Sequence, residues 1–217
     1  MSRAYSPSID VMVQISTERS IMSPLGIPRE RFWNAPNAIT MGRIGASFLL
    51  LLLPFFDDPL GSAVMGLGFL AVALTDLLDG YLARRDGTVT RIGKLLDPLA
   101  DKVLVMTALI VLVAMEGRVP FWGVPMVVLI LARELAVTGL RAMASSEGIV
   151  LHASLLGKWK TGFQTAALTC LLMHYTWLGL PLHPVGMFLL VLATALTLWS
   201  GYDYFTSYLH RREIPEK

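Results

Sequence analysis

Residues 76–101 read DLLDGYLARRDGTVTRIGKLLDPLAD and join two apolar stretches of the chain. Four of its five aspartates form two pairs, Asp76 with Asp79 and Asp97 with Asp101, and the fifth, Asp86, lies in the connection between them. Spacings of three and four residues place each pair on one face of a helix. Acidic side chains at a membrane edge are costly and are rarely present without a function. Because the basic connection between the pairs is short, the two helices are predicted to be antiparallel neighbours whose four carboxylates converge.

The composition of the whole chain is that of a membrane protein. Of its 217 residues, 54% are hydrophobic and only 16% are charged, whereas soluble domains average about 25% charged residues. The length fits one helical domain, and a single cysteine excludes an intrachain disulfide framework. No cleavable signal peptide is visible before the first long apolar run, and no nucleic-acid partner is expected.

Six segments are long and apolar enough to be predicted as spans, since a transmembrane helix needs about 20 mostly apolar residues. They are residues 37–56, 61–84, 95–115, 121–143, 159–178 and 184–208. The predicted fold class is therefore an all-α integral membrane protein with six transmembrane helices. Residues 29–210 form this domain, and residues 29–35 fit a short interfacial helix. Residues 1–28 are predicted to be a poorly ordered cytoplasmic extension, and residues 211–217 a basic cytoplasmic tail.

Basic residues indicate the orientation of these helices, because cytoplasmic loops are enriched in Lys and Arg. The amino-terminal segment, the second and fourth connections with their flanks, and the tail are rich in these residues, whereas the other three connections contribute only Arg118. Both termini and the aspartates are therefore predicted to face the cytoplasm. The expected location is a bacterial-type inner membrane, crossed several times. The interfacial aromatic belt is predicted to include Trp122, Trp177, Tyr202 and Tyr204.

The four aspartates predict a metal site. Carboxylates this close cannot all stay ionised alone, because like charges raise one another's pKa. Divalent ions that prefer oxygen ligands, such as Mg²⁺ or Mn²⁺, would neutralise them, and a pair of such ions could clamp a phosphate. The alternative is a solvated loop in which the aspartates pair with Arg84, Arg85, Lys94 and Lys102. Four acids at helical spacing beside apolar runs favour the metal site.

The complete pattern is Asp76-x2-Asp79-Gly80-x2-Ala83-Arg84-x8-Gly93-x3-Asp97-x3-Asp101. It resembles the signature of the CDP-alcohol phosphotransferase family, with every fixed position filled. The resemblance extends over about residues 30–210. It implies a membrane enzyme that uses two divalent cations to transfer a phosphatidyl group from a CDP-activated lipid to an alcohol. Homodimers are common in the family.

The resemblance also assigns roles to residues. It makes Asp76, Asp79 and Asp97 metal ligands, and it gives Asp101 both metal proximity and the role of general base. Residues implied to bind the CDP-lipid are Asn37, Thr40, Asp76, Gly80, Ala83, Arg84, Thr90 and Gly93. The glycines let a nucleotide approach the backbone, and Arg84 offers a fork of donors to the diphosphate. Considered alone, the glycines also fit helix packing, and Arg84 also fits a positive-inside anchor.

The first span opens with Pro36-Asn37-x2-Thr40-x2-Arg43. Related phosphatidyltransferases open with the same pattern, and its Asn-to-Thr turn contacts the CDP-lipid there. The resemblance therefore implies a binding role for Asn37 and Thr40. Local alternatives are a helix N-cap at Asn37, a backbone-bonded threonine at Thr40, and an arginine that snorkels to the interface at Arg43.

Basic residues on the fourth and fifth spans predict a pocket for the acceptor. Arg133 and Glu134 lie in mid-span, and Arg141 follows two turns later. Lys158 and Lys160 open the fifth span. A mid-span arginine costs roughly 2.5–3.5 kcal/mol on insertion scales, so it should face a cavity or a partner. These four basic residues are predicted to bind the phosphate of an anionic acceptor. The alternatives are positive-inside anchoring for the lysines and a structural pair for Arg133.

Three further motifs resemble the branch of the family that makes phosphatidylglycerophosphate from CDP-diacylglycerol and sn-glycerol 3-phosphate. They are Ala132-Arg133-Glu134-x6-Arg141, Gly157-Lys158-x-Lys160-Thr161 and Ser200-Gly201-Tyr202-Asp203-Tyr204-Phe205. Cardiolipin synthases and phosphatidylinositol phosphate synthases of the same family are alternatives. A different class is a cation transporter with the aspartates as its ion site. Release of CMP from CDP-diacylglycerol separates the enzyme from the transporter.

Overall fold

The computed structural model of the chain describes residues 35–86, 91–147 and 155–213. Within these ranges, the described side chains exclude those of residues 35–37, 39, 76–86, 91–98, 101, 155 and 213. The predicted amino-terminal extension, nearly all of the predicted interfacial helix and the end of the tail lie outside the described residues.

Within the described ranges, the chain forms six α-helices. They are α1 Ala35–Leu49, α2 Pro59–Asp86, α3 Arg91–Ala114, α4 Val124–Ser146, α5 Leu155–Met173 and α6 Leu182–Glu213. Short 3-10 segments extend α1 (Leu50–Phe55) and precede α4 (Phe121–Gly123). One helix occupies each predicted span. Among the described residues, two stretches, Phe121–Ser146 and Leu182–Arg212, are long and apolar enough to cross a membrane. The number of spans therefore stays a prediction.

Proline and aspartate set the boundary between the first two helices. Pro54 lies in the 3-10 segment and has no N–H to donate, so the regular α-helix ends before it. Asp58 then caps α2, because its Oδ2 accepts hydrogen bonds from the N–H groups of Leu60 (3.1 Å) and Gly61 (3.2 Å). The break predicted at this point of the sequence is thus a change from a tight 3-10 turn to a capped helix.

The connection after α5 departs from the predicted fold. The helix ends at Met173, five residues before the predicted end of the fifth span. The chain then forms an antiparallel hairpin of β1 (Thr176–Trp177) and β2 (Leu180–Pro181). Its turn residues Leu178 and Gly179 have φ of 53° and 80°, which is the backbone twist that tight hairpin turns require. The described chain is mostly helical, as predicted, and this short hairpin replaces the end of the predicted fifth span.

The helices pack around one apolar core. The most extensive contacts join α5 to α6, α1 to α3, α2 to α5 and α4 to α6. A glycine allows the closest approach of α5 and α6, since a Cβ added at Gly186 would lie 2.8 Å from Leu171 Cγ. Core side chains include Phe69, Leu104, Leu112, Ile130 and Leu168.

The outer surface of this bundle is also apolar. Large side chains such as Leu60, Phe121 and Trp199 are exposed. Soluble monomers rarely expose apolar patches larger than a few hundred Å², whereas lipid tails are as apolar as leucine side chains. The surface and the composition together indicate a membrane protein.

A buried arginine links helices at one end of the bundle. Arg118, in the connection between α3 and α4, is only 1% exposed. It donates hydrogen bonds to the backbone oxygens of Leu171 (3.1 Å) and Leu172 (2.7 Å) in the last turn of α5. It also donates to Ser62 Oγ on α2 (2.7 Å) and forms an ion pair with Asp57. One guanidinium thus satisfies acceptors from three parts of the chain.

The same cluster brings together the connections that carry few basic residues. The hydroxyl of Tyr175, after α5, donates to the backbone oxygen of Asp57, before α2, at 3.0 Å. Nε2 of His183, at the start of α6, lies 3.2 Å from the backbone oxygen of Arg118. The first, third and fifth connections therefore meet at one end of the bundle. The side of the membrane that this end faces stays a prediction.

Candidate active site

The aspartate motif lies at the end of α2 and the beginning of α3. Helix α2 continues through Asp76 and Asp79, and α3 includes Asp97 and Asp101 in its first three turns. Because both segments are helical, each pair lies on one helix face, as the spacing predicts. No group of three or more metal-binding side chains occurs among the described ones, and the four aspartate side chains are outside that set. Their convergence therefore stays a prediction.

The predicted CDP-lipid site is largely outside the described side chains as well. Outside them are Asn37, Gly80, Ala83, Arg84, Thr90 and Gly93. Thr40 is described, and it is buried on α1 together with Arg43, with exposed fractions of 2% and 3%. The interpretation of Arg43 as a residue that snorkels to the interface is therefore wrong. Helix α1 packs mainly against α3, so Thr40 and Arg43 lie on the neighbour of the helix that carries Asp97 and Asp101.

A cavity of about 260 Å³ opens between α3, α4, α5 and α6. Its wall includes all four basic residues that the sequence predicts for the acceptor, together with a lysine that directly follows Asp101. The polar residues of the wall are Lys102, Arg133, Glu134, Thr138, Arg141, Lys158, Lys160, Thr161 and Tyr204. The fold thus brings the predicted acceptor residues together and places them next to the aspartate-bearing end of α3. Their role as phosphate ligands stays a prediction.

Arg133 joins α4 to α6 at the cavity wall. Its Nε donates to the backbone oxygen of Thr197 at 3.0 Å, and its Nη2 donates to Ser200 Oγ. Its Nη1 lies 3.4 Å from Glu134 Oε1, a long contact that agrees with the poor pairing expected of adjacent helical residues. Gly201 leaves room for this side chain, because an added Cβ would lie 3.1 Å from Arg133 Cγ. Arg133 therefore both pairs with α6 and lines the cavity, so the two roles predicted for it occur together.

Tyr204 holds two arginines of the cavity. Its hydroxyl accepts a hydrogen bond from Arg141 Nη2, and the Arg141 guanidinium lies 4.8 Å from the ring centroid. The Arg133 guanidinium lies 5.9 Å from the same centroid. A tyrosine ring attracts cations through its quadrupole. With 5% exposure, Tyr204 is inside the bundle, so its assignment to the interfacial belt is wrong, whereas Tyr202 is exposed.

The two lysines of the cavity differ in their surroundings. Lys160 forms an ion pair with Glu134 Oε1, and the two side chains are 9% and 13% exposed. Positive-inside anchoring is therefore excluded for Lys160, whose charge is buried against a partner. Lys158 is exposed and lines the same cavity, which leaves its ammonium accessible to a soluble anion.

Three charged or aromatic residues of the cavity wall were not predicted from the sequence as site residues. They are Lys102, Glu134 and Tyr204. Local signals existed, because Lys102 directly follows Asp101 and the other two residues stand in motifs that resemble the family branch. Glu134 meets Lys160 across 26 positions, and Tyr204 meets Arg141 across 63. No short spacing in the sequence reports such contacts, because they depend on which helices pack together.

Comparison with known proteins agrees with the motif. Residues 33–199 match the family model described as CDP-alcohol phosphatidyltransferase. A CDP-diacylglycerol–glycerol-3-phosphate 3-phosphatidyltransferase of Bacillus subtilis (strain 168) is 39% identical over 186 residues, covering 80% of this chain and 94% of the relative. The enzyme of the same name from Rickettsia bellii is 37% identical over 175 residues, covering 79% and 93%.

A plant relative extends the comparison. The CDP-diacylglycerol–glycerol-3-phosphate 3-phosphatidyltransferase 2 of Arabidopsis thaliana is 34% identical over 195 residues, covering 84% of each chain. The matched region contains α1 to α5 and the first half of α6, with the aspartate motif and every residue of the cavity wall except Tyr204. The resemblance first carried by the aspartate motif is thereby confirmed, and the chain belongs to the membrane-associated CDP-alcohol phosphatidyltransferase family.

Proposed function

We propose that this chain transfers the phosphatidyl group of CDP-diacylglycerol to sn-glycerol 3-phosphate, giving phosphatidylglycerophosphate and CMP. The observation that carries this proposal is the cavity, in which four predicted basic residues from α4 and α5 converge beside α3. Guanidinium and ammonium groups are the donors that bind phosphate most strongly. An acceptor with a phosphate monoester therefore suits this cavity better than a neutral alcohol. The names of the relatives agree with this acceptor.

The proposed enzyme crosses the inner membrane six times, with both termini and the active site at the cytoplasmic face. The meeting of the first, third and fifth connections around Arg118 supports the alternation of helix direction. The basic residues of the opposite connections support the cytoplasmic assignment of the other end. CDP-diacylglycerol would then enter sideways from the cytoplasmic leaflet, and sn-glycerol 3-phosphate would enter from the cytoplasm.

The donor set fits two divalent cations, Mg²⁺ or Mn²⁺. Four aspartates on two helices supply oxygen ligands only, which such hard ions prefer. Three of them, Asp76, Asp79 and Asp97, would hold the metals, with Asp101 close to them. When bound, the cations would neutralise the cluster and polarise the diphosphate of the CDP-lipid.

The residues of the chain supply the remaining steps. Asp101 accepts the proton of the acceptor's 1-hydroxyl group, and that oxygen attacks the β-phosphorus, which carries diacylglycerol. The bond between this phosphorus and the bridging oxygen breaks, so CMP leaves with the electron pair. Arg84 stabilises the charge that develops on CMP. As in other phosphoryl transfers, positioning and electrostatics provide most of the rate. The residues proposed to hold the CDP-lipid are Asn37, Thr40, Gly80, Ala83, Arg84, Thr90 and Gly93.

The basic residues of the cavity contribute to acceptor binding in two different ways. Within the described part of the chain, Arg141 uses only Nη2 for Tyr204, which leaves Nε and Nη1 to meet a phosphate. Lys158 is exposed at the same wall. Arg133 and Lys160 are engaged with protein partners, so they contribute positive potential and fix the wall. We therefore expect the largest loss of acceptor affinity when Arg141 or Lys158 is replaced.

The test uses the purified full chain in detergent with CDP-diacylglycerol and Mg²⁺. sn-Glycerol 3-phosphate, inositol phosphate and phosphatidylglycerol are offered separately, and CMP release and the lipid product are measured. CMP release with sn-glycerol 3-phosphate alone, abolished by EDTA and restored by Mg²⁺, is the expected result. Release with phosphatidylglycerol or inositol phosphate instead contradicts the proposed acceptor. No release with any acceptor contradicts the proposed reaction.

A further inference from the structure

We infer that Glu134 positions the acceptor by accepting a hydrogen bond from its 2-hydroxyl group, an inference that rests on the proposed function. Glu134 is the one carboxylate among the described residues that line the basic cavity. It also lines an adjoining pocket of about 30 Å³, together with Lys102, Gln164 and Thr165. A mostly buried carboxylate beside these cations lowers the positive potential with which they attract an anionic acceptor. It therefore calls for a role of its own.

The two oxygens of Glu134 have different surroundings. Oε1 takes the ion pair with Lys160 and the long contact with Arg133. Oε2 accepts no hydrogen bond from the described part of the chain, and it is not among the buried polar atoms that lack a partner there. The second oxygen is therefore accessible, and Glu134 lines both the cavity and the adjoining pocket. Lys160 fixes the carboxylate on one side while the other side stays open to a ligand.

The chemistry of the acceptor explains why such an oxygen is needed. Lysine and arginine side chains only donate hydrogen bonds, so they bind a phosphate but cannot accept the proton of a hydroxyl group. A carboxylate accepts that proton in a charge-assisted hydrogen bond, which is stronger than a neutral one. Several cations and an open carboxylate oxygen among the described residues of the cavity thus match a molecule that has both a phosphate and a free hydroxyl.

The positions of Glu134 and Arg141 along α4 indicate how the acceptor is oriented in the cavity. Arg141 lies seven residues after Glu134, which is about 10 Å along the helix axis. The small pocket beside Glu134 extends toward Lys102 on α3, the residue after Asp101. The phosphate of the acceptor therefore lies toward Arg141 and its hydroxyl groups lie toward Glu134. This orientation directs the 1-hydroxyl to the aspartate-bearing end of α3 while the 2-hydroxyl is held.

The test combines a variant with a truncated acceptor. The acceptors are sn-glycerol 3-phosphate and 3-hydroxypropyl phosphate, which lacks the 2-hydroxyl group. In the unchanged enzyme, loss of this group should lower kcat/KM about 10- to 100-fold, the range for a hydrogen bond to a charged group. Glu134→Gln should lower kcat/KM for sn-glycerol 3-phosphate by about 10-fold or more, mainly through KM. The same variant should change kcat/KM for the truncated acceptor by less than about 3-fold.

Controls separate positioning from simple support of the cavity wall. Lys158→Gln removes a proposed phosphate contact and leaves Glu134 with its partner Lys160 in place, so it should weaken both acceptors by the same factor. The KM for CDP-diacylglycerol should stay unchanged in Glu134→Gln, and its elution volume in detergent should match that of the unchanged enzyme. If Glu134→Gln does not fold, Glu134→Asp goes through the same comparison and should keep part of the preference for the 2-hydroxyl.

The outcomes distinguish this inference from the function on which it rests. Equal losses for both acceptors in Glu134→Gln would show that Glu134 serves only Lys160, and they overturn the inference alone. Failure of the unchanged enzyme to use sn-glycerol 3-phosphate overturns the proposed acceptor and the inference together.

Discussion

Replacement of Arg118 by methionine should destabilise the bundle without altering its chemistry. The change leaves the backbone oxygens of Leu171 and Leu172 and the hydroxyl of Ser62 without their guanidinium donor. Removing one partner of a buried ion pair costs about 3–5 kcal/mol. The Asp57 side chain is 44% exposed, so water can solvate its carboxylate in the variant. We therefore expect a loss at the lower end of this range, about 3 kcal/mol of unfolding free energy. For a chain of this length that corresponds to a fall in Tm of roughly 6–12 °C.

The assay is thermal unfolding of the purified chain in detergent, monitored by tryptophan fluorescence. The matched control is Glu116→Gln, an exposed change in the same connection, which should stay within about 0.5 kcal/mol of the unchanged protein. Arg118→Lys should fall between the two, since an ammonium keeps the charge but lacks the planar fork of donors.

Activity gives an independent readout for the same variants. Arg118 precedes α4 and Arg141 lies in its second half, so the stretch of helix between them, residues 124–141, is about 26 Å long. Well below its Tm, Arg118→Met should therefore keep the kcat/KM of the unchanged enzyme. A Tm within about 2 °C of the unchanged protein would refute the stabilising role of the cluster. Lost activity in a folded Arg118→Met would refute its separation from the active site.

Three further outcomes follow from the structure. Asp101→Asn should abolish CMP release while leaving CDP-diacylglycerol binding largely intact, and unchanged turnover in that variant would remove Asp101 as the base. Gly201→Ala should raise the KM for sn-glycerol 3-phosphate about 2- to 10-fold, because the added Cβ displaces Arg133 by a few tenths of an ångström and disturbs the cavity wall. The control is Gly139→Ala on α4, where an added Cβ meets nothing within 4 Å. His174 lies in the connection after α5, outside the helices, and burial, with a smaller contribution from the Arg118 guanidinium, holds its pKa below the usual value of about 6.5. A lowered pKa contributes stability that is fully present above pH 6.5 and is lost as the pH falls through the folded-state pKa, so Tm should fall between pH 8 and pH 5. His174→Asn should flatten this fall, since asparagine tolerates the positive φ of 60° at this position, and equal slopes for the two proteins would show that His174 does not cause it.

The sequence determined the family and the positions of the helices. The aspartate pattern predicted the family that the comparison confirms. The six apolar segments predicted the six stretches in which helices occur, because an apolar run of about 20 residues is recognisable without knowledge of its neighbours. The convergence of the basic residues of α4 and α5 was also predicted, since a charge in mid-span must face a cavity or a partner.

The tertiary structure decided which side chains meet. Whether Arg43 reached the interface or turned inward, and whether Tyr204 lay in the aromatic belt or beneath two arginines, depended on the packing of α1 on α3 and of α4 on α6. In a membrane protein nearly every face of a helix is apolar, so hydrophobic periodicity does not mark the inward face as it does in a soluble helix. The pairing of Lys160 with Glu134 follows from helix packing, which places one carboxylate among the described residues of the basic cavity.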